Sequence, residues 1–291
     1  MLTPQIIDTV VRAALAEDAP WGDITSELLI PASARAEARL IAREPGTFSG
    51  GTVFAATMTA ADPAIVTRIA VEDGDVFAAG DLLATVSGPA RAVLQAERVA
   101  LNLVQRMSGI ATLTARFVAE VAGTKAHIVD TRKTTPGLRA LERHAVVSGG
   151  GRNHRFSLSD AVMAKDNHLA ILTAGGLDLT EALRGVRERL PHTTHLEVEV
   201  DRIDQIEPVL AARVDTIMLD NFSLEDLRTG VELVDGRAIV EASGNVRLDT
   251  VGAIALTGVD VISAGALTHS VRALDLGLDV DIDASAHHSE A

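Results

Sequence analysis

The 291-residue chain contains no cysteine and no tyrosine, and aromatic residues make up only 2% of it. Without cysteine there is no disulfide, no thiolate nucleophile and no cysteine metal site, which fits a reducing compartment such as the cytoplasm. With so few rings the chain offers no stacking platform for single-stranded nucleic acid. Its core must be built from Ala, Val, Leu and Ile. Hydrophobic residues reach 47%, enough for one large or two medium domains. Long apolar runs are missing too. The longest uncharged stretch, residues 45–61, is rich in Gly and Thr and too short to span a bilayer comfortably. The N-terminal MLTPQIIDTVVRAALAED has acids and amphipathic spacing in place of a signal peptide's charged-then-apolar order. Bases are the minority charge, 26 Lys+Arg against 40 Asp+Glu, and the formal charge of −14 repels phosphate polymers. Together these absences predict a soluble, cytoplasmic protein that binds neither nucleic acid nor membrane.

One window reverses the charge balance. Residues 130–168 hold Arg132, Lys133, Arg139, Arg143, Arg152, Arg155 and Lys165, seven bases, against Asp130, Glu142, Asp160 and Asp166, four acids. His144, His154, His168 and the run Gly149, Gly150, Gly151 lie in the same window. A local basic focus of +3 in an acidic protein predicts a small polyanionic ligand. Arginine forks match carboxylates and phosphates, lysine supplies a point charge, and glycine lets the backbone approach a ligand.

Upstream, residues 4–17 have helical spacing, residues 35–44 read as a strand, and the segment 46–59 begins another helix. Residues 65–88 read as strand, turn, strand, with Gly74 and Gly80 at the turns. This stretch is similar to half of a lipoyl or biotinyl module but lacks the Met-Lys-Met carrier tripeptide, so it is read as a β-rich wall. Residues 90–122 form the strongest helix, with Leu94, Leu101, Val104, Ile110, Phe117 and Val121 on a buried stripe. Gly109 is a break or close-packing point in it, and Arg98, Asn102 and Gln105 share its polar face. From 127 the rhythm changes. Apolar runs at 127–130, 161–164, 196–200, 216–219, 238–240 and 259–263 alternate with helical patterns at 178–190, 203–212, 223–234 and 248–257. Strands alternating with helices predict parallel β/α units, here an incomplete barrel of six strands. Each run ends in a polar or glycine signature, where β/α barrels carry their active sites. Glu197 and Glu199 share one strand face. The first is either a site group or a structural carboxylate paired inside the barrel. His287 and His288, in the polar tail, are read as non-ligands.

The segments DTRKTTPGLR, GGGRNHR and KDNH, in this order and spacing, resemble the quinolinate phosphoribosyltransferase family. EDAPWGDIT, QAERVALNLVQRMSGIAT, LEVEVD, LDNF, EASGNV and ISAGALTHS extend the resemblance over roughly residues 17–272. Ser157 stands where the family commonly has glycine, and Ala164 where a larger aliphatic is usual. The resemblance implies an N-terminal α/β sandwich over residues 1–110, with residues 273–291 packing back on it. It also implies an incomplete type II phosphoribosyltransferase barrel over 111–272. Its implied substrates are quinolinate, a pyridine with two adjacent carboxylates, and phosphoribosyl pyrophosphate. Arg98, Thr131, Arg132, His154, Arg155 and Lys165 are implied to bind substrate, with Lys133 at the pyrophosphate or between the substrates. Glu199 and Asp220 are implied for ribose hydroxyls and Mg2+, directly or through water. Lys133, Glu199 and Asp220 form the implied catalytic set. Ser243, Gly244 and Asn245 with Gly265, Ala266, Leu267 and His269 are implied to cradle the 5′-phosphate. A homodimer, or a larger assembly of dimers, with Arg98 acting across the interface completes the expectation. Rival readings are a paralogous phosphoribosyltransferase with another acceptor, a Schiff-base barrel aldolase using Lys133 or Lys165, and a non-catalytic anion-binding protein.

Overall fold

The computed structural model of the protein describes residues 2–283, so His287 and His288 lie outside the described residues. The chain forms two compact units. The first comprises Met1–Ala115, Thr134–Gly150 and Val271–Ala291, and the second Arg116–Lys133 and Gly151–Ser270.

In chain order the first elements are α1 (Pro4–Asp18), α2 (Ile24–Leu29), β1 (Arg35–Ala42), β2 (Gly46–Thr47) and α3 (Gly51–Ala61). Then come β3 (Val66–Ile69), β4 (Val76–Phe77), β5 (Leu82–Pro89) and the 31-residue α4 (Ala90–Glu120). The caps are written in the sequence: Thr3 precedes α1 with Pro4 in its first turn, and Asp23 accepts the Thr25 and Ser26 N–H groups at the start of α2. No local side chain caps α3. Asp73 Oδ1 instead accepts the N–H groups of Gly50 (2.9 Å) and Gly51 (3.1 Å), and Asp73 Oδ2 lies 2.7 Å from His144 Nε2.

Along β1 the side chains alternate, with Ala36, Ala38, Leu40 and Ala42 buried and Arg35, Glu37 and Arg39 exposed. Small residues dominate this core because the chain has few large ones; its ring contact is Phe48 edge-on to Phe77. Gly109 does not break α4. A Cβ there would lie 2.3 Å from the Arg272 carbonyl oxygen, so it is a close-packing point.

The second unit carries β6 (His127–Val129). After α5 (Arg139–Ser148), which belongs to the first unit, come β7 (Val162–Ala164), α6 (Asp166–Thr173), α7 (Leu179–Arg189) and β8 (Leu196–Val200). Next are α8 (Ile206–Ala211), β9 (Thr216–Asp220), α9 (Leu224–Val234), β10 (Ile239–Ser243), α10 (Leu248–Ala255), β11 (Val261–Ser263) and α11 (Ala266–His269). The last strand, β12 (Leu276–Asp283), pairs antiparallel with β1 over its whole length and completes the four-stranded order β12-β1-β5-β3 of the first unit.

The six strands of the second unit are all parallel, in the order β6-β11-β10-β9-β8-β7. Beyond β6, among the described residues, only Arg152 continues the ladder: its N–H donates to Ile128 O (2.8 Å) and its O accepts from Asp130 N–H (3.2 Å). Strands buried on both faces explain the continuous apolar runs, as in β9, where Thr216 to Leu219 are all buried. The expected mixed α/β architecture with an incomplete barrel is borne out.

One segment of the basic window goes elsewhere. Helix α5 groups with the first unit, and residues 134–150 with it, although the boundary at 110/111 placed them in the barrel. The reason is packing within that unit. Leu141, Ala145 and Val146 are buried, and Glu142 Oε1 accepts from Arg106 Nε at 2.8 Å. A Cβ on Gly149 would lie 2.3 Å from Ala111 O, so this glycine serves contact with α4 and not with a ligand.

Candidate active site

The carboxyl ends of the six parallel strands open onto one cavity of about 580 Å3, lined entirely by residues of the second unit. Thr131, Arg132 and Lys133 follow β6, and Lys165 follows β7. Glu199 stands near the end of β8, Asp220 ends β9, Ser243 ends β10 with Gly244 and Asn245 behind it, and Ser263 ends β11. His154 and Arg155 enter from the loop before β7. Parallel register explains the convergence: Glu199 is level with Met218 and Met218 with Glu241, and Asp220 is level with Ser243.

Four of the seven bases of the window reach the cavity: Arg132, Lys133, Arg155 and Lys165. Arg139, Arg143 and Arg152 do not line it. Arg98 is exposed on α4 in the first unit and is not a lining residue. Gly265, Ala266, Leu267 and His269 are not lining residues either. Leu267 is wholly buried, backbone included, while a Cβ on Gly265 would meet Lys133 Cδ at 2.8 Å and the His269 ring at 3.1 Å. Thr268 Oγ1 donates to Lys133 O at 2.7 Å and ties this segment to the end of β6. Met163, Met218 and Ser263 line the cavity without having been picked out by the sequence, while Asn221 and Glu241 were marked there only as parts of polar strand-end signatures and given no role. Glu241 and Ser243 are two apart on one strand, so period-two parity was the available signal.

The loops after β9 and β10 interlock. Asn221 N–H donates to Ser243 O (2.9 Å), Asn221 Nδ2 to Asp220 Oδ2 (2.6 Å), and Asn245 Nδ2 to Asn221 Oδ1 (3.2 Å). Asn221 (φ 58°), Gly244 (φ 96°) and Asn245 (φ 49°) all have left-handed backbones, the glycine because the next loop presses against it. Lys165 Nζ is ion-paired with Glu199 Oε2. Both lysines of the cavity are exposed. That is the reverse of the apolar setting a Schiff-base lysine needs, so the aldolase reading gains no support.

Under the rim, His154 Nε2 lies 3.1 Å from Glu197 Oε2 and 3.4 Å from Glu241 Oε2. Glu197 is therefore a buried carboxylate paired inside the barrel. Burial works against a charged imidazole, while the two carboxylates favour a hydrogen on Nε2, the nitrogen that faces them. Burial first, and the neighbouring Glu241 charge after it, push the Glu197 pKa upward.

No helix among the described residues is long and apolar enough to cross a membrane. Two family models match in chain order: quinolinate phosphoribosyl transferase, N-terminal domain, over residues 23–108, and its C-terminal domain over residues 110–279. The carboxylating nicotinate-nucleotide pyrophosphorylase of Mycobacterium leprae (strain TN) is 44% identical over 276 residues, 93% of this chain and 95% of the relative. A probable enzyme of the same name from Bacillus subtilis (strain 168) is 40% identical, over 91% of this chain and 90% of its own. The crystal structure of NadC from Streptococcus pyogenes superposes with a TM-score of 0.91 at 40% identity, covering 97% of this chain and 98% of that one. Both halves of the chain match in order and the relatives span nearly all of it: the chain belongs to the quinolinate phosphoribosyltransferase family.

Proposed function

We propose that the cavity transfers the phosphoribosyl group of phosphoribosyl pyrophosphate to quinolinate. The products are nicotinate mononucleotide, pyrophosphate and CO2, a step of NAD synthesis. The observation that carries this reading is the meeting of Arg132, Lys133, His154, Arg155 and Lys165 with Glu199 and Asp220 on one cavity. The pyridine nitrogen bonds to the anomeric carbon while the carbon–oxygen bond to pyrophosphate breaks and its electron pair leaves with the pyrophosphate. The bond from the ring to the 2-carboxylate then breaks, CO2 departs, and the ring carbon takes a proton.

Two carboxylates on a small ring need several fixed cations, which Arg132, Arg155 and Lys165 supply, with Thr131 and His154 beside them. Lys133 faces the departing pyrophosphate. Glu199 and Asp220 hold ribose hydroxyls and stabilise positive charge developing on the sugar. Seating both substrates separates Lys165 from Glu199, the lysine going to a carboxylate and the glutamate to the ribose side. The interlocked loop Ser243, Gly244 and Asn245, with the backbone of Gly265 and Ala266 and the His269 ring, receives the 5′-phosphate.

The donor set suits magnesium: Glu199 and Asp220 are hard oxygen donors on adjacent strands, and such an ion usually takes one or two carboxylates plus substrate phosphates. These two residues would hold it, directly or through water. Bound there, it would neutralise charge on the pyrophosphate. Arg98 completes the carboxylate site from a second copy of the chain, in a homodimer or an assembly of such dimers. The cysteine-free composition supports a cytoplasmic setting.

Incubation with quinolinate, phosphoribosyl pyrophosphate and Mg2+ is expected to yield nicotinate mononucleotide and CO2 in equal amounts. Lys133→Ala or Arg155→Ala is expected to abolish the yield with the circular dichroism spectrum unchanged. Absence of product with the wild-type chain overturns the reading, and wild-type turnover by either variant removes that residue's role.

A further inference from the structure

The His154 side chain is held by groups that the assignment above leaves without a task. Glu197 and Glu241 lie on one side of the ring, at its Nε2. At Nδ1 the backbone N–H of Arg155 donates over 2.7 Å, and the backbone N–H of His154 donates to Asp130 Oδ1 over 2.8 Å. Glu197 and Glu241 are each 3% exposed and Asp130 is fully buried.

An N–H group aimed at Nδ1 requires a lone pair there, so the ring carries its proton on Nε2, facing the two carboxylates. That tautomer decides between two uses of the cluster. One histidine and two glutamates with donor atoms within 4.8 Å of one another have the composition of a divalent-cation site. A cation takes the Nε2 lone pair, which leaves Nδ1 carrying a hydrogen pointed at the Arg155 N–H. The observed contact opposes this, and the cluster is a hydrogen-bonded clamp instead. Glu241 also differs from an ordinary structural carboxylate. It borders the cavity, as Glu197 does not, and its Oε1, like that of Glu197, is buried without a hydrogen-bond partner among the described residues.

We propose that Glu241, seconded by Glu197, is a positioning residue for the dicarboxylate half of the reaction. It pins the imidazole of His154, and the Nδ1 contact then fixes the backbone from which Arg155 extends. The far end of Arg155 is anchored as well, Nη1 donating to Ala161 O at 3.1 Å and Nη2 to Met163 Sδ at 3.6 Å. The guanidinium therefore stays in one place only while both of its ends are held. This proposal rests on the phosphoribosyl-transfer reading for the identity of the dicarboxylate, but the clamp itself is testable without it.

Glu241→Gln keeps the shape and removes one charged acceptor. In the full-length enzyme the KM for quinolinate is expected to rise about tenfold, the effect of losing one charge-assisted hydrogen bond. The KM for phosphoribosyl pyrophosphate and the melting temperature are expected to stay put, and Glu241→Asp to recover part of the loss. Nitrogen-15 histidine NMR of the wild-type protein at neutral pH is expected to show His154 with hydrogen on Nε2 and a lone pair on Nδ1. An unchanged quinolinate KM in Glu241→Gln, or an equal rise in both KM values, overturns the positioning role. A hydrogen on Nδ1 with Nε2 bare overturns the clamp, and this arm decides even where Glu241→Gln fails to fold. If the wild-type chain makes no nicotinate mononucleotide, the functional reading falls while the NMR result still settles the clamp.

Discussion

Gly244→Ala should strike one substrate and spare the other. Gly244 sits at φ +96°, where an alanine is strained by about 1–3 kcal/mol. Its new methyl group would lie 2.2 Å from Asn221 Oδ1, 2.6 Å from Asn221 Cγ and 2.8 Å from Asn221 N. The side chain of Asn221 can swing away only by releasing Asp220 Oδ2 and Asn245 Nδ2, at about 0.5–1.5 kcal/mol for each bond. Its backbone nitrogen has less freedom, because it donates to Ser243 O at 2.9 Å. The loop after β10 must therefore shift. If that loop holds the 5′-phosphate, losing one charge-assisted bond of about 1.5–3 kcal/mol raises the KM for phosphoribosyl pyrophosphate roughly ten- to a hundredfold. The KM for quinolinate stays within about a factor of two. Steady-state kinetics with each substrate varied in turn reads both numbers. In an Asn221→Gly background two of the three short contacts disappear, and the penalty of Gly244→Ala should shrink severalfold. An unchanged phosphoribosyl pyrophosphate KM in the single variant refutes the phosphate cradle, and strict additivity in the pair refutes the interlock.

Other outcomes follow from the same structure. Mixed oligomers pairing an Arg98→Ala chain with a Lys165→Ala chain should regain partial activity that neither variant shows alone; no regain places Arg98 outside the shared site. Arg272, and after it the Asp275 N–H, hold the Glu44 carboxylate down to a pKa of about 2, below the ordinary 4.5. A depressed folded-state pKa means this pair stabilises the protein above about pH 4.5 and is lost as pH falls toward 2. Because the Arg272 side chain is solvent-exposed, the weight of the pair is small. Glu44→Gln should therefore lower the urea midpoint at pH 7 and have little effect near pH 2, and equal effects at both values would count against the linkage. Gly109→Ala, with a methyl group against the Arg272 carbonyl, should destabilise by about 1–3 kcal/mol in spite of alanine's better helix propensity, and a raised melting temperature would refute the close packing.

The parallel sheet was legible because strands covered on both faces are written as unbroken apolar runs, and the runs at 196–200 and 216–219 lie on β8 and β9. Helix α5 was hidden by its own charges. Its sequence RALERHAVVS lies in the basic window, and Glu142 is buried against Arg106 where periodicity reads a polar position. Strand β12 was not read as a strand, although Leu276, Leu278, Val280 and Ile282 alternate with Gly and Asp. At the site, the charged groups announced themselves and their supports did not. Glu241 reads as one more acid until the register of β10 sets it beside His154, and Asn221 acquires its task only when two loops distant in sequence are laid together.

The strand order β6-β11-β10-β9-β8-β7 carries a consequence for biosynthesis. The ribosome makes one border of this sheet first and the opposite border next, then fills the gap from the far side inward. His127–Val129 waits for its ladder neighbour until Val261–Ser263 emerges. A nascent chain halted earlier holds Lys133 and Asp220 with nothing to align them. Catalytic competence is therefore among the last properties this polypeptide acquires, and shielding the unpaired border in the meantime falls to chaperones or to speed.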